Sequence, residues 1–278
     1  MIDSVNDDSI TLTKNKYIKD KVASTIKYKK DESSELSMAS YEVGERDVVY
    51  NPPVSELNKL NKEGKIKTSD SNKGIYLDIQ KDKRLYLDDR RGLYKIIYDA
   101  TEKYESSNSK SIKAANGSYF RDDLKDLNKI QSRKKAIIDN IEWNKPNKLK
   151  LAVINSCDIN TYCNYLIDYF KKNGILLECY YLEESIDGDY LNDNYDMCIF
   201  SKESNSKDKE KLYDSFKEIT NIKFSSKNKE EELFSSYTLL PIMFLNDNIA
   251  ISDKILEINF DGNGNIDFSS IKENRVEL

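Results

Sequence analysis

Apolar and polar residues alternate in three short stretches within the first fifty residues, which read as extended segments. In "SITLTKN" Ile10 and Leu12 alternate with threonines, in "STIKYKK" Ile26 and Tyr28 alternate with polar neighbours, and "RDVVYN" brings Val48, Val49 and Tyr50 together. A period of two puts one set of side chains on one face, so each stretch predicts a strand. Pro52 and Pro53 stop that pattern. Val54, Leu57 and Leu60 then fall three apart before Gly64, the spacing and ending of a short helix, and "KGIYLDIQ" returns to a strand.

The stretch "LYLDDRRGLYKIIYDAT" changes the period again. Leu93, Ile96, Ile97, Ala100 and Tyr104 mark one face of a long helix. Asp88 is placed to accept from the free amides of its first turn, and Asp89 sits at the positive end of the dipole. Adjacent helical residues point apart, so the two acids make a poor catalytic pair. Gly92 costs about 0.5–1 kcal/mol relative to Ala inside a helix, which implies that a neighbour packs closely there.

After a loop signal at "SSNSKS", a second helix is expected through Leu124, Leu127, Ile130, Ile137, Ile138 and Ile141, its face interrupted by Lys134. "LKLAVI", "DINTYCNYLIDYFKKNG" and "ILLECYYLE" then spell a strand-helix-strand unit, with Asp158 or Asn160 as cap and Gly174 as stop. Its strands should be parallel neighbours. A loop over "SIDGDYLNDNYD", a strand at "YDMCIF", helices around "LYDSFKEI" and "KEEELFSSY", and a strand-rich tail with a hairpin at "DGNGN" complete the chain. The fold class is α/β, with a mixed sheet and flanking helices.

Charge and composition narrow the chemistry. The 278 residues carry 44 Lys and Arg against 49 Asp and Glu, net charge -5, with the two signs interspersed; the basic stripe of a nucleic-acid binder is missing. Histidine is absent, which removes the commonest general base and metal ligand and with it most hydrolase triads and zinc sites. Cys157, Cys163, Cys179 and Cys198 show no Cys-x2-Cys spacing and fall in or beside apolar elements, so free buried thiols are expected rather than a metal site or a disulfide. No glycine fingerprint follows "LKLAVI", leaving a dinucleotide site unsupported. No catalytic residue, metal or cofactor is therefore nominated. The start "MIDSVNDDS" is unlike a secretory signal, and the apolar run "YTLLPIMFL" is too short to cross a bilayer.

The succession of segments resembles the family 5 extracellular solute-binding proteins, the peptide, dipeptide and nickel receptors of ABC importers. The likeness is carried by "DDSITLTKNKYI", by "YEVGERDVVYNPPVSELNKL", by "GIYLDIQKDKRLYLDDRRGLYKIIYDAT", by "LKLAVI" with "LIDYFKKNGILLECYYL", and by "YDMCIF" and "LLPIMFLNDNIAIS". The resemblance implies a periplasmic-binding-protein-like (type II) lobe: residues 1–235 as the second lobe, and 236–278 as a strand-rich segment returning toward a first lobe. That first lobe, with signal peptide and lipid-anchoring Cys, would lie ahead of this chain's start.

The implied function is substrate binding for an ABC importer, an oligopeptide or related small solute being held between lobes largely through main-chain hydrogen bonds. Permease subunits would be its partners, its place the cell surface, and its only membrane attachment a lipid anchor absent from this chain. No catalysis and no nucleic acid enter. The family commonly reads Gly-Trp-x-x-Asp-Tyr after its Tyr-Asp strand. Counted from Asp196, the Gly-Trp positions fall at Ser201 and Lys202 and the Asp position at Asn205. Ser201, Lys202, Glu203 and Asn205 are thus the candidate ligand-binding residues, with Glu203 or Asp208 as substitutes for the missing acid. The alternative is a degenerate or regulatory interaction domain that keeps the fold without transport.

Overall fold

The structure, a computed structural model, describes residues 2–14, 17, 23–79, 85–139, 141–154, 159–183, 188–220, 222, 224–261 and 264–273. In chain order the strands and helices are β1 (Ile2–Asn6), β2 (Ser9–Thr13), β3 (Thr25–Lys29), α1 (Ser34–Glu42), β4 (Val48–Tyr50), α2 (Val54–Lys62), β5 (Ile66–Ile79), α3 (Leu87–Asn108) and β6 (Ile112–Ala114). A 3-10 turn (Arg121–Lys125), α4 (Leu127–Ile138), β7 (Lys148–Ile154), α5 (Asn160–Lys172), β8 (Leu176–Leu182), α6 (Gly188–Asn194) and β9 (Met197–Glu203) follow. The chain continues with α7 (Lys209–Ile219), α8 (Lys229–Ser236), β10 (Leu239–Ile251), β11 (Ile255–Phe260) and β12 (Ile266–Glu273).

Two compact units result. One joins Met1–Ser71 to Asn246–Leu278, and the other is Asn72–Leu245. β10 changes partners along its length: Met243–Leu245 pair with β6, whereas Ile249–Ile251 pair with β4.

In the first unit β1, β2 and β3 form an antiparallel meander. The alternation of β10 sorts its side chains: Ala250 packs with Met38, Val49 and Leu60, whereas Ile249 and Ile251 pack with Ile258 and Ile271 of the β11–β12 hairpin. That hairpin sits where "DGNGN" placed it, with Asp261 accepting from the Asn265 amide at 2.9 Å and Gly264 at φ +83°. Helix α1 corrects the reading of the first fifty residues as extended. Ser33 caps it by accepting from the Leu36 amide at 3.3 Å, but Met38 is its one buried side chain, so no apolar stripe betrayed it.

The second unit is built on a mixed sheet. β7 and β8 are parallel neighbours, paired from Lys148↔Leu176 to Ile154↔Leu182, as the strand-helix-strand pattern required. β9 runs parallel to β7 on its other side, and β5 lies antiparallel to β9 and leads on to β10. Cys163 and Cys198 are buried free thiols and Cys179 a half-buried one; Cys157 and the proposed cap Asp158 lie outside the described residues. Gly174 ends α5 at φ +78° as expected.

Three local expectations change. At the start of α3 the capping carboxylate is Asp89, which accepts from the Tyr86 amide at 3.0 Å and the Asn144 amide at 2.9 Å and is buried; Asp88 pairs instead with Arg91 at 3.2 Å near the surface. Helix α4 is shorter than its apolar pattern. Leu124 belongs to the 3-10 turn and Ile141 lies beyond the end, while Leu127 and Ile138 are exposed. The buried side chains of α4 are Ile137 and Arg133, whose guanidinium lies 3.8 Å over the Phe234 ring and 2.8 Å from Glu231. Finally, part of the acidic loop after β8 is helix α6.

Candidate functional site

Strand β9 emerges from the core within the candidate segment. Met197 to Phe200 are buried, Ser201 and Lys202 half-buried, and Glu203 exposed. Pairing with β5 fixes them in register, Ile75↔Ser201, Gly74↔Lys202 and Lys73↔Glu203. Beneath them Phe216 packs edge to face against both Tyr76 and Phe200, the Tyr76 and Phe216 ring centres 4.9 Å apart. The Tyr76 hydroxyl donates to the Tyr119 carbonyl at 2.7 Å, and burial raises its pKa well above the ordinary tyrosine range. Gly74 is required here: a Cβ at that position would lie 2.6 Å from the Tyr76 oxygen.

Past the strand the chain is tied down at Ser204, which sequence reasoning passed over. Its amide (2.7 Å) and its hydroxyl (2.8 Å) both donate to the Asn72 carbonyl, and it is buried. Asn205 turns outward. Its side-chain oxygen accepts from the Lys207 amide at 2.9 Å and its carbonyl from the Asp208 amide at 3.1 Å, so the amide side chain is already half committed to shaping its own turn. Asp208 is committed as well, capping α7 through the Lys211 amide at 3.3 Å.

The structure therefore brings Ser201, Lys202 and Glu203 together on one strand end, with Asn205 on the turn that follows. Lys202 and Glu203 border an open polar depression completed by Asp208, Glu210, Lys211, Asp214, Ser215 and Glu218. Lys202 donates across it to Glu218 at 3.2 Å. Carboxylates outnumber ammonium groups in this lining, which suits a cationic or amine-bearing group better than an anion. The acids on α7 were missed in the sequence, although Glu210, Asp214 and Glu218 recur four apart and so share one helix face. Among the described residues no cluster of three or more His, Cys, Asp or Glu forms a metal site, and no helix is long and apolar enough to cross a membrane.

No model of a protein family matches the sequence, and neither does any curated protein. Solved structures do match the fold. NikA from Brucella suis in complex with Fe(III)-EDTA superposes with a TM-score of 0.62 at 14% identity, covering 98% of this chain and 67% of that one. A putative peptide binding protein, AppA, from Clostridium difficile gives 0.62 at 16% identity over 98% of this chain and 66% of its own. A dipeptide binding protein from Pseudoalteromonas in complex with Met-Leu gives 0.59 at 13% identity, over 98% and 63%. The chain has the mixed α/β fold of these substrate-binding proteins and spans about two thirds of their length.

Proposed function

We propose that this chain is the second-lobe portion of an ABC importer's substrate-binding protein and grips an oligopeptide or related small solute through Ser201, Lys202, Glu203 and Asn205. The observation that carries the reading is the emergence of β9 from the core at these residues, inside a fold shared with dipeptide- and peptide-binding proteins. Residues 236–278 would return toward a first lobe, permease subunits would be its partners, and a lipid anchor outside this chain would hold it at the cell surface. The protein binds and releases; it supplies no chemistry.

Asn205 occupies the position projected for an amine-binding acid, and a neutral amide lacks the charge that a desolvated ammonium needs. With Asp208 engaged as a helix cap, exposed Glu203 is the better placed carboxylate for that part. The engagement of the Asn205 side chain in its own turn also favours the second reading, an interaction domain that keeps the fold without transport. Titration calorimetry with a pool of short peptides separates the two. The receptor reading expects weak binding, strengthened by Asn205→Asp and weakened by Glu203→Gln; no heat from the wild type or either variant would favour the interaction domain.

A further inference from the structure

The loop after β9 is gripped from a second place in the chain. Two consecutive aspartates on the 3-10 turn Arg121–Lys125 reach its middle and its end. Asp122 accepts a hydrogen bond from the Ser206 hydroxyl, and Asp123 faces the ammonium of Lys209, the first residue of α7, at 4.0 Å. Asp123 is itself mostly buried, 2.7 Å from Lys129, and Lys129 lies 2.7 Å from Glu230. The Lys209 ammonium also sits 4.9 Å over the Phe120 ring. The turn has its own anchor, since Arg121 donates to the Leu245 carbonyl at 2.7 Å. With Ser204 fixed on Asn72, residues 204–209 are held at start, middle and end, and Asn205 projects between the first two points.

We propose that Asp122 and Asp123 are positioning residues, a clamp that holds the 204–209 loop in the turn presenting Asn205 to a ligand, without touching the ligand themselves. This rests on the reading of Ser201 to Asn205 as ligand-contacting residues. The Ser206 bond, followed by Lys125, holds the Asp122 carboxyl below the ordinary aspartate range, so the grip at Ser206 is made by a carboxylate throughout the neutral range.

The test uses the full chain and two readouts. Backbone order parameters of Lys207 and Asp208 are measured by NMR in the wild type, Ser206→Ala, Ser206→Thr, Asp122→Ala and Asp123→Asn, beside titration with tri-alanine. Rigid values of about 0.85 should drop below about 0.6 in all but Ser206→Thr, which keeps the hydroxyl. Affinity for tri-alanine should fall at least about fivefold in the same variants while the thermal midpoint of Ser206→Ala, a surface change, stays at the wild-type value. Unchanged order parameters in Ser206→Ala and Asp122→Ala overturn the clamp whatever the ligand does. A loosened loop with undiminished affinity overturns its part in presentation. A loosened loop in a chain whose wild type ignores tri-alanine overturns the ligand reading and leaves the clamp supported.

Discussion

Trp143, the one tryptophan of the sequence, lies across Gly92 so closely that a Cβ there would meet its ring at 2.2 Å. The glycine in α3 thus has the reason that its helix cost implied: it makes room for an indole. Gly92→Ala gains helix propensity but forces the ring away, and overpacking of this kind costs about 1–3 kcal/mol. Urea unfolding should show a net loss of stability, with a red shift of tryptophan emission as the half-buried ring moves outward. Unchanged emission and equal or higher stability would contradict the contact. The need for space at residue 92 was legible in the sequence; the identity of the intruder, far along the chain at Trp143, was not, because nothing local encodes it.

At the level of elements, legibility followed burial. β7 was readable from its buried apolar run Leu151–Ile154 and α5 from one buried face that includes Leu166 and Phe170, and β8 followed from the strand-helix-strand unit they open. α1 was not readable, since it buries one side chain, and α4 was read too long, because its buried residues are Ile137 and Arg133 rather than the whole apolar series. The start of α3 shows the same limit: "LDDRR" announces a helix but does not say which acid caps it. Asp89→Ala strands two amide donors, a loss of about 2–3 kcal/mol for bonds to a buried carboxylate. Asp88→Ala removes an exposed pair with Arg91 and should cost under about 0.5 kcal/mol. Paired urea titrations check the order, and equal losses would return the capping role to Asp88. The candidate strand end was legible only through resemblance. Ser204 and the clamp aspartates escaped it because their partners, Asn72, Ser206 and Lys209, are set by tertiary contact.

For the molecule as a whole, burial has a pH signature. It pushes the Cys163 thiol up to about 12 and the Cys179 thiol up to about 11, and raises Tyr94 and Tyr162 as well. The folded chain therefore holds these protons more tightly than the unfolded one. The stability they contribute is complete below the unfolded values, about 9 for these thiols and 10 for these tyrosines, and is lost as pH rises toward the folded ones. The urea midpoint should hold to about pH 9 and fall steeply by about pH 11; a flat profile would mean these groups are wet. The strand end 201–205 is proposed to meet a solute. Its most direct test is an amide chemical-shift map of the full chain titrated with short peptides. If the chain supplies one part of a cleft, shifts should cluster at residues 201–208 and fit a Kd weaker than about 1 μM, corresponding to less than about 8 kcal/mol. Submicromolar binding, or saturable shifts confined to other residues, would contradict it.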